Sequence, residues 1–184
     1  MKISNYFLIA VGGAIIGAAS GFAWRALDDA GQPEIPTPVE SVQEVDVLPS
    51  FSYPDLQGRQ RSSEEFAGKV IVLNFWATWC PPCRKETPEF VALQELFGSN
   101  VQFIGIAIDD EEPVREFADS YGVNYPLLLG DVEAVSLSRR LGNRYEGLPF
   151  TIVAGPGGNV VLRHTGGLER DQLEPLLREL TSAG

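Results

Sequence analysis

A seven-residue run dominated by apolar and β-branched side chains, Val70-Ile71-Val72-Leu73-Asn74-Phe75-Trp76, leads through Ala77-Thr78-Trp79 into Cys80-Pro81-Pro82-Cys83-Arg84-Lys85-Glu86. The first segment has the composition of a strand and the last begins a helical pattern, so both cysteines of the chain fall at a strand-to-helix junction. That junction constrains the fold more than any other feature. Two thiols separated by two residues can close one small disulfide ring or open to a dithiol. A helix N-terminus favours the thiolate, through the macrodipole and its unpaired N–H groups. Pro81 and Pro82 remove two N–H donors and stiffen the loop.

Other uses of the pair fit less well. A closed zinc site needs four ligands, and the chain offers two Cys and one His. A cysteine hydrolase needs a His base, and His164 lies far along the chain beside a Gly pair. A purely structural crosslink is the plainer alternative, but so short a loop removes little unfolded-state entropy.

The remainder reads as an α/β pattern. An extended pair over residues 51–54 and 59–62 turns at Gln57-Gly58, and a short helix over 63–67 precedes the strand at 70–76. A helix over 83–97 contains Pro88, which should kink it. A strand over 101–108, a helix over 113–121, a short strand over 125–129 and a helix over 132–141 follow. Strands over 150–154 and 160–164 pair across a turn, and an amphipathic helix over 168–180 closes the chain. The late hairpin makes the sheet mixed. Asp109-Asp110-Glu111-Glu112 lacks the spacing of a calcium loop and is assigned to charging the N-terminus of the next helix. Tyr121, Tyr125 and Tyr145 are assigned to the fold, and His164 to a strand end without catalytic task.

Residues 7–24 contain no charged side chain and are bracketed by Lys2 and Arg25, a run long enough to span a bilayer as a helix. A signal peptide ending at Gly21-Phe22-Ala23 is the rival, but its apolar region is usually about 7–15 residues. The slight positive excess in front predicts an N-in, C-out orientation. Gly13, Gly17 and Gly21 form two overlapping GxxxG steps, a face through which anchors could dimerise. Residues 1–27 are thus assigned to the anchor, 28–49 to a Pro-rich linker and 50–184 to one folded domain. Without Lys2 and Arg25 the chain keeps 12 basic against 25 acidic side chains, a formal charge of −13. Such a field argues against nucleic acid and anionic lipid as partners.

The segment 74–88, with Phe51, Asp55-Leu56-Gln57-Gly58, Phe66-Ala67-Gly68-Lys69 and Gly147-Leu148-Pro149-Phe150-Thr151, resembles the membrane-anchored thioredoxin-like proteins of the TlpA/ResA type. The resemblance covers about three quarters of the chain. It implies a thioredoxin fold with a mixed central sheet, an N-terminal β-hairpin and a central βα insertion, behind a single transmembrane helix. It further implies an extracytoplasmic thiol:disulfide oxidoreductase on the periplasmic side of a bacterial inner membrane, with no cofactor beyond the cysteine pair and no metal. Cys80 would be the exposed nucleophile and Cys83 the resolving thiol. Pro149 would be cis and pack against the disulfide, leaving Leu148 to pair with an extended substrate. Phe150 departs from the small Thr frequent at its position and would narrow or grease the substrate groove. Trp79 would shield one side of Cys80. Asn74 replaces the buried Asp of classical thioredoxins and cannot titrate, so an acid/base helper must lie elsewhere. Glu86, three residues beyond Cys83, is a candidate by proximity and equally a solvated first-turn residue.

Substrates implied by the resemblance are disulfides of apocytochrome c or of respiratory-oxidase copper-site proteins, with electrons from a membrane dithiol carrier of the CcdA/DsbD kind. Rival readings are a disulfide oxidase or isomerase, and a Cu(I)-binding thiol chaperone, against which the absence of Met beyond Met1 counts. A peroxidase is weaker, because Thr78 stands two residues before Cys80 rather than three.

Overall fold

The run at 70–76 becomes β3 (Val70–Trp76), and all seven of its residues are buried. Burial on both faces is the mark of a central strand covered from above and below. The computed structural model describes residues 45–182. The predicted anchor with Gly13, Gly17 and Gly21, and most of the predicted linker, lie outside the described residues. Among the described residues no helix is long and apolar enough to cross a membrane.

Helix α1 (Pro81–Phe97) returns the chain to β4 (Val101–Ala107), which lies parallel to β3. Helix α2 (Glu111–Tyr121) leads to the short strand β5 (Leu127–Leu129), parallel to β4. Helix α3 (Val132–Arg140) then leads to the antiparallel hairpin of β6 (Phe150–Ala154) and β7 (Val160–Thr165), and β6 pairs with the far side of β3. Helix α4 (Arg170–Ser182) follows β7, and the five-stranded order is β5-β4-β3-β6-β7. This is a mixed sheet of thioredoxin type in which β5 and α3 are the inserted βα unit. A separate hairpin of β1 (Ser52–Pro54) and β2 (Gln60–Ser62) precedes it and touches the sheet through a bridge from Asp55 to Leu128. Gly58 takes the left-handed conformation its turn requires, at φ 73°.

Side chains of β3 alternate between two cores, as a period of two demands. Ile71, Leu73 and Phe75 join Phe51, Ile104, Leu137, Leu141 and Phe150 on the face covered by the hairpin and α3. Val70 and Val72 join Phe90, Leu93, Phe103, Leu173 and Leu177 on the face covered by α1 and α4. Asn74 shares the parity of the second set, and this decides which helices it can reach.

Several boundaries differ from expectation. Helix α1 begins at Pro81 rather than 83, since proline's fixed φ suits the first helical turn, and it continues through Pro88. Strand β5 omits Tyr125 and Pro126. Residues 45–49, assigned by composition to the linker, are docked on the domain. Val45 N–H donates to the Arg140 carbonyl at 3.2 Å, Leu48 N–H to that of Gly158 at 2.8 Å, and Val160 N–H to that of Asp46 at 2.9 Å. Val45 and Leu48 also pack against the first core, so these two apolar residues outweigh the surrounding proline and acid.

Candidate active site

Cys80 occupies the N-cap of α1, and its Sγ accepts the Cys83 N–H at 3.4 Å. Pro81 and Pro82 fill the next two positions, where an N–H would have no intrahelical partner. Cys80 and Cys83 are joined as a disulfide with their Cα atoms 5.3 Å apart. Cys80 was expected to be the exposed cysteine; it is only 3 % exposed, against 1 % for Cys83. The reason is local: Trp79 stands out from the loop at 66 % exposure, while Cys80 turns inward to cap the helix. Access to Cys80 runs through a groove.

That groove has a volume of about 450 Å³ and borders Cys80, Trp79 and Leu148, with Phe75, Ile108 and Val135 along it. The Leu148–Pro149 peptide is cis, and the Pro149 carbonyl accepts the Gly166 N–H at 2.8 Å. Phe150 does not reach the groove. It is 1 % exposed and packs against Phe75, ring centroids 6.1 Å apart, because its strand position faces the first core. Trp79 borders the groove beside Cys80.

The loop before Cys80 is held by two residues that the sequence reading did not place here. Asp109 accepts both the Thr78 N–H at 2.9 Å and the Thr78 hydroxyl at 2.5 Å. Arg84 donates to the Thr78 carbonyl at 3.1 Å and lies over the rings of Phe117 and Tyr121. The acidic run therefore divides its work: Asp109 clamps the active-site loop, Asp110 is the N-cap of α2 without a side-chain cap bond, and Glu111 pairs with Arg115.

One helical turn on from Cys83, Glu86 enters a buried polar cluster. Asn74 Nδ2 donates to Glu86 Oε1 at 2.9 Å and to Thr151 Oγ1 at 3.0 Å, and the Leu168 N–H donates to Glu86 Oε2 at 3.0 Å. Glu86 is thus not a solvated first-turn residue; it is 4 % exposed. Burial raises its carboxyl to about 7, although the bonds from Leu168 and Asn74 favour the charged form. A second cleft, of about 440 Å³ between α1 and the start of α4, borders Glu86 together with Lys85 and Arg170. Asn74, which cannot titrate, holds a carboxyl that does. Thr151 was not foreseen in this role, but it is the β6 partner of Asn74 in register. Cross-strand neighbours on one face would have been the signal.

The other assigned residues are sorted by burial. Tyr121 stacks on Phe117, centroids 4.0 Å apart. Burial first, and the charge of Glu86 second, hold the Tyr125 hydroxyl well above its usual range, while a hydrogen bond with Thr87 opposes them. Tyr145, assigned to the fold, is instead 94 % exposed on the loop before Gly147. His164 lies on β7 with a ring nitrogen 3.2 Å from the Gly167 carbonyl oxygen. Among the described residues no group of three or more His, Cys, Asp or Glu is arranged to hold a metal ion.

Comparison with known proteins agrees with this geometry. The pattern of the Redoxin family matches residues 43–178. The thiol-disulfide oxidoreductase ResA of Bacillus subtilis is 34 % identical over 131 residues, spanning 69 % of this chain and 70 % of that protein. ResA of Halalkalibacterium halodurans is 29 % identical over 182 residues, 96 % of this chain and 92 % of its own. A crystal structure of a thiol:disulfide interchange protein of the thioredoxin family from Chlorobium tepidum superposes with a TM-score of 0.68 at 28 % identity, covering 73 % of this chain and 95 % of that one. With a redox-active pair at a helix tip, a cis-proline groove beside it and these relatives, the chain belongs to the Redoxin family, as a thioredoxin-superfamily thiol:disulfide interchange oxidoreductase of the TlpA/ResA type.

Proposed function

We propose that the protein reduces disulfides of other proteins on the extracytoplasmic side of a bacterial inner membrane, tethered there by residues 7–24. The Cys80 thiolate attacks a substrate sulfur, forming a mixed disulfide and releasing the other substrate sulfur as a thiolate. Cys83, once deprotonated, attacks Cys80 Sγ, closes the intramolecular disulfide and frees the second substrate thiol. The observation that supports this cycle is the placement of Glu86, a carboxyl buried one helical turn from Cys83, where burial pushes it up to about 7. A carboxyl so poised can take the Cys83 proton in the second step and return it when the pair is reduced again, with the α1–α4 cleft as its path to water. Cys80 and Cys83 are the catalytic residues. Trp79, Pro81, Pro82 and Pro149 shape the site, and Leu148 meets the substrate.

Each turnover leaves the protein oxidised, so two electrons and two protons must come from a membrane dithiol carrier of the CcdA/DsbD kind. Apocytochrome c and oxidase copper-site cysteines are the proposed substrates, and Gly13, Gly17 and Gly21 the proposed contact in any dimer. The test is the equilibrium reduction potential of the full chain in detergent, read in glutathione or dithiothreitol buffers. A value of roughly −270 to −220 mV supports a reductase, and one near about −120 mV makes the protein a disulfide donor and ends the reductase reading.

A further inference from the structure

We propose that Glu146 is a specificity residue, which favours substrates carrying a Lys or Arg close to the disulfide being exchanged. The inference rests on the disulfide-exchange reading above and adds the chemistry of the segment that enters the groove. The groove beside Cys80 is apolar over most of its length, and Glu146 is the only ionisable side chain among its described lining residues outside the disulfide. The single carboxylate on a mainly apolar path to the reacting sulfur discriminates by charge through the oxygen that Arg139 leaves open, while the apolar stretch tolerates many side chains.

The carboxylate is also held in place. Among the described residues Glu146 is the only non-glycine with positive φ, at 52°. Such a conformation persists only where the surroundings over-determine it, and it is frequent at ligand clamps. Here the determinant is Asn143, which is 2 % exposed. Its side chain donates to the Gly147 carbonyl and accepts the Gly147 N–H, each at 3.0 Å, and its carbonyl accepts the Glu146 N–H at 3.2 Å. Glycine would adopt this turn without strain; glutamate in its place sets a charge at the groove's edge. Arg139 on α3 pairs with Glu146 Oε1. A carboxylate accepts through both oxygens, so a substrate cation can share it with Arg139. The acidic balance of the chain, −11 overall, acts in the same direction on approach.

The test uses the reduced full chain in detergent and synthetic peptides with one intramolecular disulfide. The peptides differ in one residue beside a cysteine, which is Lys, Ser or Glu. In each reaction the peptide disulfide gains two electrons and two protons, and the Cys80/Cys83 dithiol loses them; tryptophan fluorescence follows the rate. If equilibrium favours the opposite direction, the oxidised protein is mixed with the dithiol peptides instead. The Lys peptide is expected to react about fivefold faster than the Glu peptide at low salt, with the ratio shrinking above about 0.1 M salt. Glu146→Gln and Glu146→Gly should bring the ratio to about one, and Glu146→Lys should invert it. A variant that merely folds poorly slows all three peptides alike and leaves the ratio at its wild-type value, as would a Glu146 without this role; either result overturns the inference. If the wild type fails to exchange even the Ser peptide, the disulfide-exchange reading falls first, and the inference with it.

Discussion

Replacing Glu86 by Gln should change how stability depends on pH, by an amount the site itself supplies. Burial lifts the Glu86 carboxyl from 4.5 to about 7 in the folded protein. Each factor of ten in proton affinity corresponds to about 1.4 kcal/mol, so the ionised side chain costs the native state about 3 kcal/mol at alkaline pH. The sign follows from proton binding. Between pH 4.5 and about 7 the native state holds this proton more tightly than the unfolded chain, so the unfolding free energy falls as pH rises through that window. Below pH 4.5 both states are protonated and the cost is absent; above about 7 it is complete. Glutamine carries no such cost and can be accommodated. If the Asn74 amide rotates by half a turn, its oxygen accepts from the new Gln amide and from the Thr151 hydroxyl, while the Gln oxygen keeps the Leu168 N–H. Urea unfolding of the oxidised full chain in detergent, from pH 4 to pH 8, should therefore show the variant gaining about 3 kcal/mol on the wild type across the range. Surface carboxylates titrate in both proteins and cancel in the difference. Parallel curves would mean that Glu86 ionises like a solvated acid, and the proton-transfer role would fall with the premise.

Two further outcomes check the surrounding scaffold. A Cβ on Gly105 would lie 2.7 Å from Leu127 Cδ2 and 2.8 Å from Trp76 Nε1, so Gly105→Ala should cost about 1–3 kcal/mol by overpacking; denaturant titration with unchanged stability would contradict that packing. Asp109→Ala removes both Thr78 bonds and should cost about 2 kcal/mol with a changed Trp79 emission, whereas Asp109→Asn keeps an acceptor and should lose less.

The framework was legible in the sequence wherever one strong local signal existed. The strand at 70–76 is marked by a run that is apolar except at Asn74, the helix after it by its opening prolines, and the late hairpin by its glycine-rich turn. The Cys80–Cys83 disulfide and the cis bond before Pro149 agree with what spacing and resemblance imply. Glu86 is a candidate from its proximity to Cys83, but its burial is not legible there, because it depends on Leu168, 82 residues away, whose N–H meets it only after α4 docks. A helical pattern of Arg84-Lys85-Glu86 looks solvated on its own. Phe150 is misplaced by adjacency: it follows Pro149 in the chain, but it is buried against Phe75, its partner in register, and stops short of the groove that Phe75 borders. Tyr145 is assigned to the fold from sequence, and its loop carries it outward. Asp109 sits in an acidic run whose charge the next helix accounts for, and its bonds to Thr78, 31 residues away, leave no local signal.

The wide separation of the groups around Glu86 has a consequence for the order in which the protein acquires its chemistry. Residues 74, 80, 83 and 86 leave the ribosome together, but Thr151 is 77 residues from Asn74 and Leu168 lies later still. Until the last third of the chain has been made and β6 has slotted beside β3, Glu86 is a carboxyl in water and the two thiols sit on an uncovered helix end. A nascent or truncated chain that stops short of Leu168 therefore has the complete motif without its buried proton acceptor. The working oxidoreductase is a property of the finished sheet rather than of the segment that carries its cysteines.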